Sequence, residues 1–325
     1  MKRTLCVMLS ALAILTVQAH AEDLYDTPTA RTPALALLPD VESFTLRVTA
    51  DAPCYRIWLY KPSSAHSSAA QTSTDGEAPN ETGGRDAPPL LVLLDGNATF
   101  ALAVSAARLQ ARLIGPVVIA AIAAPNEAIF DERQRFRDFT TAASDTWGVP
   151  RGADGRMLQF GGARAFDDLL DGPLLRAIEA RVPVSRTRRT LFGHSLGGFF
   201  VLHHALSRPA SRFSRIVAAS PSLWWNDREL LRTPSLGTRE GSLTIVLRAG
   251  GEEQTVSPDA TPARIERVRR AAMLDNLHAL AATLEQNSAY DVSVGLYPGA
   301  NHVSYLPAAL AESVVLAAKA RAADQ

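Results

Sequence analysis

Residues 189–201 read Arg-Thr-Leu-Phe-Gly-His-Ser-Leu-Gly-Gly-Phe-Phe-Val. A short apolar run, Thr190 to Phe192, leads into Gly193-His194-Ser195-Leu196-Gly197, and a helix-compatible segment continues from Gly198 to Ser207. The pattern predicts a strand that turns sharply into a helix with Ser195 at the turn. In so tight a turn, a side chain two places to either side of the serine would collide with the strand or the helix, so glycine is expected at both. The turn lifts the Ser195 hydroxyl clear of the strand and sets it at a helix N-terminus, where the backbone N–H of Leu196 can face an oxyanion. A G-x-S-x-G also arises by chance. The strand before, the helix after and the extra Gly198 separate this one from an accident.

Outward from the turn, strands and helices alternate. Toward the N-terminus, Ser43 to Thr49, Cys54 to Tyr60 and Leu90 to Leu94 read as strands, the first with Phe44, Leu46 and Val48 alternating against polar residues as on a half-exposed antiparallel edge. Thr99 to Leu113 has helical spacing, and Val117 to Ile122 is a continuous apolar run suited to a buried parallel strand. Residues 125–160 read as irregular and 163–181 as helical. After the serine turn come strands at Arg215 to Ala219 and Leu243 to Leu247, a long amphipathic helix over Thr261 to Gln286, a closing strand at Val292 to Tyr297 and a last helix over Val303 to Ala322. With the serine at a strand-to-helix turn, this order predicts an α/β-hydrolase fold, a mostly parallel central sheet with helices on both faces.

The first residues carry the expectation for localisation. Met1-Lys2-Arg3 is followed by an apolar stretch from Leu5 to Val17 and by Ala19-His20-Ala21 before the charged Glu22-Asp23. That is the pattern of a Sec signal peptide over residues 1–21, the apolar run being too short for a membrane span, and it predicts an exported, periplasmic protein. Residues 22–325 are expected to form a single domain. The one low-complexity stretch, 63–89, is rich in Ser, Ala, Thr, Gly and Pro without apolar periodicity, and reads as a mobile, disordered insert between two strands. Of two cysteines, Cys6 lies in the signal and Cys54 is left alone, a buried structural thiol by this reading. The 33 basic and 33 acidic residues balance and aromatics are 6%, which favours neither nucleic acid nor an anionic membrane as partner. No metal-ligand cluster stands out, so neither a metal nor another cofactor is expected.

In this fold a serine nucleophile is followed along the chain by an acid and then a histidine, each in a loop at the carboxyl end of a strand. Among seven histidines, His302 alone follows the last strand and precedes the last helix, and is the expected general base. His194 adjoins the serine but is expected to point elsewhere; His203, His204 and His278 lie on helices and read as core or surface residues. The acid is expected in the loop after Leu243 to Leu247, where Gly250-Gly251-Glu252-Glu253-Gln254 offers Glu253 first, Glu252 second and Asp259 third. A Ser–His dyad, with both glutamates solvated, is the alternative. The second oxyanion donor is expected from Asp95-Gly96-Asn97, with Gly96 making a sharp turn that aims the Asn97 N–H beside that of Leu196 and with Asp95 structural.

These segments together resemble a known group. Leu94-Asp95-Gly96-Asn97, Arg135 to Thr140 (Arg-Phe-Arg-Asp-Phe-Thr), Gly161-Gly162-Ala163 with Phe166, the serine turn, Ser220-Pro221-Ser222-Leu223-Trp224-Trp225, Gly251-Glu252-Glu253-Gln254 and the terminal histidine occur in the order found in an esterase branch of the α/β-hydrolases. The chain is most similar there to siderophore esterases that open the trilactones of enterobactin, salmochelin and bacillibactin. The resemblance spans most of residues 40–320. It implies ester hydrolysis on a serine, in some members with a Ser–His dyad, and one member of the group is periplasmic. It also suggests a ligand site in which Arg135 pairs with the charge of a ferric catecholate and Trp224 or Trp225 offers a ring face to catechols. The plainer alternatives are an Arg135–Asp138 ion pair and tryptophans in the core.

The expected activity is therefore hydrolysis of a siderophore-like trilactone, free or as the ferric siderophore. An esterase for another bulky acyl or aromatic ester and a non-catalytic siderophore carrier are the other readings, although a carrier needs neither Ser195 nor His302.

Overall fold

Alternate residues of the central strands face opposite ways, and each face has its own layer of helices. The structure, a computed structural model, describes residues 38–47, 52–63, 87–143, 151–152, 154–232 and 241–319. Strand β3 (Leu90–Leu93) sends Leu90 and Val92 into one core and Leu91 and Leu93 into the other. β4 (Val118–Ala123) divides its residues in the same way, with Val118, Ala120 and Ile122 opposite Ile119 and Ala121. Both strands are buried throughout, as parallel strands covered on two faces must be, which is why they read as unbroken apolar runs. Helices α1 (Gly96–Ile114) and α9 (Leu306–Ala318) cover one face through Phe100, Val104, Leu310 and Val314. The other is covered by α3 (Ala163–Leu169), α4 (Leu175–Glu179), α5 (Leu196–Ser207) and α8 (Met273–Leu284), through residues such as Phe166, Ile178, Phe199 and Leu277.

The sheet has eight strands in the order β1-β2-β4-β3-β5-β6-β7-β8. β1 (Val41–Leu46) and β2 (Tyr55–Tyr60) form an antiparallel margin, and every pairing from β4 onward is parallel. This is the α/β-hydrolase architecture. The carboxyl ends of β3, β5 (Arg189–His194), β6 (Arg215–Ala219), β7 (Leu243–Gly250) and β8 (Tyr290–Tyr297) therefore open at one edge of the sheet, where side chains from distant stretches converge.

Several elements depart from the sequence expectation. The stretch 125–160 contains a helix, α2 (Glu132–Phe139), capped by Asp131, whose carboxylate accepts from the Gln134 N–H at 2.9 Å. Its composition is almost wholly polar, and only Phe136 and Phe139 mark a buried face beside Asp138. The helix expected over 163–181 is interrupted by a wider turn at Leu170–Leu174, where Pro173 lacks the N–H that a regular ladder requires. The long helix expected over 261–286 is two helices, α7 (Pro262–Ala271) and α8, broken at Ala272 in the left-handed region with φ 41°. α7 buries no residue, so the apolar periodicity belonged to α8 alone. A further helix, α6 (Trp225–Arg232), follows β6. Cys54 precedes β2 rather than lying on it and is half-buried, not enclosed. Residues 1–21, expected to be a signal peptide, and all but the ends of the 63–89 stretch, expected to be a disordered insert, lie outside the described residues.

Candidate active site

Ser195 has φ 60° and ψ −116°, a conformation costly for any residue with a Cβ, of order 1–3 kcal/mol. Three backbone hydrogen bonds hold it there. Its N–H donates to the Ala219 carbonyl at 2.8 Å, and its own carbonyl accepts from the N–H groups of Phe199 at 2.9 Å and Ser222 at 3.0 Å. The glycines divide differently from the expected pair. A Cβ at Gly193 would stand 2.1 Å from the Gly197 carbonyl oxygen, and one at Gly198 would stand 2.9 Å from that of Ala219. At Gly197 the nearest atom would be Asp95 Oδ2 at 3.4 Å, an ordinary contact, so Gly193 and Gly198 are the two positions that the turn closes to side chains.

The loops after β7 and β8 bring Glu253 and His302 to this serine. His302 Nε2 is 3.0 Å from Ser195 Oγ, and His302 Nδ1 is 2.7 Å from Glu253 Oε2. Beside a carboxylate, Nδ1 must carry its proton, so in the neutral ring Nε2 is a lone pair and Ser195 O–H donates to it. The Glu253 side chain is 1% exposed while that of His302 is 40% exposed, so the base reaches the surface and the acid does not. Burial pushes the Glu253 carboxyl up, but hydrogen bonds from His302, Ser220 and the Gly250 N–H outweigh it and hold the group below its ordinary value. Glu252 and Asp259 are exposed and do not reach the histidine; Glu252 contributes its N–H, which donates to the Ala300 carbonyl at 2.9 Å and ties the acid loop to the histidine loop.

Around this chain stand groups that sequence reasoning passed over. Ser220, buried and in the left-handed region with φ 42°, donates to Glu253 Oε1 and lies 2.5 Å from the Tyr305 hydroxyl. His194, expected to point elsewhere, is buried with Nε2 2.7 Å from the His302 carbonyl oxygen, and the two rings are 4.8 Å apart. Since a carbonyl only accepts, His194 Nε2 carries a proton and donates. Burial, reinforced by the charge His302 can bear, pushes His194 down to about 3, so at neutral pH it is an uncharged strut between β5 and the histidine loop. Spacing could not have disclosed it, because the bond joins residues 108 apart in sequence.

The loop after β3 is built differently from the expectation as well. The sharp turn is at Asp95, left-handed with φ 53°, and Gly96 is already the first helical residue. Glycine stands at 96 because a Cβ would lie 3.0–3.1 Å from Ala123, Ala121 and Ile122 of β4. Asn97 lies in the first turn of α1, at the helix end where N–H groups point outward, and its side-chain amide donates to the carbonyls of Asn126 and Ala128, each at 2.9 Å. Leu196 begins α5 immediately after the serine, at the equivalent helix end.

Arg135 turns inward. Its Nε donates to Asp95 Oδ1 at 2.9 Å, its Nη2 donates to the His194 carbonyl at 3.1 Å, and its guanidinium lies over the Phe130 ring at 5.0 Å. Asp138, the alternative partner, is held instead by Arg137 and Tyr55. Asp95 is buried and pairs with this cation, so Arg135 is turned inward where the sequence reading expected a charge at the rim. Trp225 is corrected too. It is completely buried, stacks edge-on with Phe136 and Phe160, and donates its indole N–H to Thr141 Oγ1 at 3.0 Å. Trp224 beside it is half-buried, packed edge-on to Trp225 with the ring centroids 6.3 Å apart.

A second serine, histidine and aspartate meet at the far end of α5, where His204 joins Asp167 through Nδ1 and Ser211 through Nε2 at 2.6 Å. Ser211 follows the C-terminus of α5, the negative end of its dipole, which disfavours an oxyanion. The same residue types there make a structural tie.

The sequence pattern of the family described as "Putative esterase" matches residues 78–315. The chain belongs to that family. It is a carboxylic ester hydrolase of the serine type within the α/β-hydrolases. It is similar to the ferri-bacillibactin esterase BesA of Bacillus subtilis, with 31% identity over 231 residues, 67% of this chain and 75% of the relative. The siderophore triacetylfusarinine C esterase of Aspergillus fumigatus is 37% identical over 148 residues, 44% of this chain and 47% of that protein. Among solved structures, the siderophore hydrolase EstA of Aspergillus nidulans superposes with a TM-score of 0.71 at 24% identity, covering 90% of this chain and 98% of its own, which shows the shared fold. Among the described residues no helix is long and apolar enough to cross a membrane, and no three metal-ligating side chains gather.

Proposed function

We propose that this esterase hydrolyses the ester bonds of a siderophore-like catecholate trilactone through an acyl-enzyme on Ser195. The observation that carries the catalytic part is the continuous Ser195–His302–Glu253 hydrogen-bond chain at the carboxyl edge of the sheet. Ser195 Oγ attacks the ester carbonyl as its proton passes to His302 Nε2. The N–H groups of Leu196 and Asn97 receive the oxyanion, each from a helix N-terminus. His302 then protonates the departing alcohol, and water repeats the sequence to release the acid. Glu253 keeps Nδ1–H oriented and stabilises the imidazolium without taking its proton.

The substrate class rests on the relatives, which are esterases of ferri-bacillibactin and triacetylfusarinine C, and on the half-buried Trp224, two residues after the Ser222 that bonds the serine turn. Export to the periplasm rests on residues 1–21 alone. A broader reading, hydrolysis of another bulky aryl or acyl ester, is favoured by the inward pairing of Arg135 and the burial of Trp225, which leave the half-buried Trp224 as the remaining one of the three expected ligand residues. Purified protein incubated with apo and ferric trilactones and with simple aryl esters, with products read by mass spectrometry, tests both. Trilactone opening faster than aryl-ester hydrolysis, reduced in Trp224→Ala mainly through KM, is the expected result. Aryl esters cleaved faster than every trilactone would select the broader reading.

A further inference from the structure

We propose that Ser222 is a further catalytic residue, whose hydroxyl donates a hydrogen bond to the nucleophilic oxygen of Ser195. The inference rests on the reading of Ser195 as nucleophile. Ser222 Oγ is 3.2 Å from Ser195 Oγ, and the residue is 1% exposed. Its backbone N–H separately donates to the Ser195 carbonyl at 3.0 Å, so the main chain already ties the two residues together. The side chain has a different task. Among the described residues, its hydroxyl has no other side-chain partner than the serine oxygen.

The direction of the bond follows from the chain of protons. The Glu253 carboxylate fixes a proton on His302 Nδ1, which leaves Nε2 to accept from Ser195 O–H. Ser195 has only that one proton, so between the two hydroxyls Ser222 must be the donor. A donor on this oxygen interacts more strongly with the developing alkoxide than with the neutral alcohol, because hydrogen bonds to charged acceptors are the stronger ones.

The effect applies in both halves of the reaction. In acylation the Ser195 O–H bond breaks, the proton moves to His302 Nε2, and the oxygen's electron pair forms the bond to the carbonyl carbon while the carbonyl π pair moves to its oxygen. In deacylation the acyl carbon–Oγ bond breaks, its electron pair returns to Ser195 Oγ, and His302 gives back the proton it took from water. Ser222 transfers no proton in either half; it stabilises negative charge on Oγ as that charge appears and as it leaves. The site thus holds two sets of donors, N–H groups for the carbonyl oxygen and one hydroxyl for the nucleophile itself.

The test compares Ser222→Ala, Ser222→Cys and Ser222→Thr with wild type on a p-nitrophenyl ester. The readouts are the burst rate for acylation, the steady-state rate for deacylation, the rate of fluorophosphonate inactivation and the Tm. Ser222→Ala and Ser222→Cys, which remove or weaken the donor, are expected to slow acylation, deacylation and inactivation each by about tenfold to a hundredfold. Substrate affinity and Tm should stay close to wild type, and Ser222→Thr, which keeps the hydroxyl, should recover most of the lost rate. Rates within twofold of wild type in Ser222→Ala would overturn the proposal. So would a Ser222→Thr variant that keeps its Tm yet is as slow as Ser222→Ala. Ser195→Ala, run alongside, separates the two readings. If it keeps turnover or labelling, the nucleophile assignment itself fails; if it is inactive while Ser222→Ala is not, only the role of Ser222 falls.

Discussion

Glu253→Gln changes one atom in a side chain that is 1% exposed, and its consequence can be worked through bond by bond. Oε1 of Glu253 accepts from Ser220 Oγ–H and from the Gly250 N–H at 2.7 Å, and Oε2 faces His302 Nδ1 at 2.7 Å. Two donors converge on one end of the group, so the amide oxygen of glutamine must take that end and the NH2 must face the histidine. Nδ1 can then only accept, its proton moves to Nε2, and Nε2–H now confronts the Ser195 hydroxyl 3.0 Å away. The serine loses its base although every atom keeps its place. Loss of a correctly oriented tautomer in a Ser–His–acid triad costs about four orders of magnitude in kcat, equivalent to about 5 kcal/mol of transition-state stabilisation. Steady-state hydrolysis of a p-nitrophenyl ester at pH 7.5 should show that loss in kcat with little change in KM, while Glu252→Gln stays near wild type. A fall of less than tenfold in Glu253→Gln would show that Ser195 and His302 act as a dyad and that the acid is structural.

Arg135→Ala should leave Asp95 buried without its cation; breaking such a pair costs about 3–5 kcal/mol, measurable by urea denaturation, and should lower kcat alike on a trilactone and on a neutral aryl ester. Unchanged stability with a KM increase confined to the trilactone would instead make Arg135 a ligand residue. For His194, burial lowers the pKa from 6.5 to about 3, so the unfolded chain binds a proton that the folded one refuses between those values. Its contribution to stability is complete above about pH 6.5 and is lost toward pH 3, with a slope approaching about 1.4 kcal/mol per pH unit within that window. His194→Gln, which cannot titrate but can still donate to the His302 carbonyl, should flatten the stability curve by that slope; parallel curves for the two proteins would refute the assignment of the proton.

What could be read along the chain, and what could not, divides at particular residues. The strand, turn and helix around Ser195 were legible because they are local: Gly193 is demanded by the Gly197 carbonyl four residues on, whereas Gly198 is demanded by Ala219 on the adjacent strand, and β3 and β4 announce their burial by continuous apolar composition. The order of elements was enough to put His302 and the Glu252-Glu253 loop at the same edge of the sheet, since parallel strands all end there. It ranked Glu253 ahead of Glu252 without supplying the reason, because which carboxylate turns inward depends on the Gly250 N–H and Ser220 that receive it. Short or polar helices and breaks were equally hidden: α2 carries too few apolar residues to show a period, and the left-handed residue at Ala272 has no glycine to mark it. The partners of Arg135, His194 and Ser222 are 40, 108 and 27 residues away in sequence, respectively. Composition named the reactive groups, and local sterics fixed the turn that presents the serine. Which polar group each buried charge or proton would find was decided only when the sheet closed, because burial makes an unpaired charge or donor costly and the partners able to satisfy it lie on other strands.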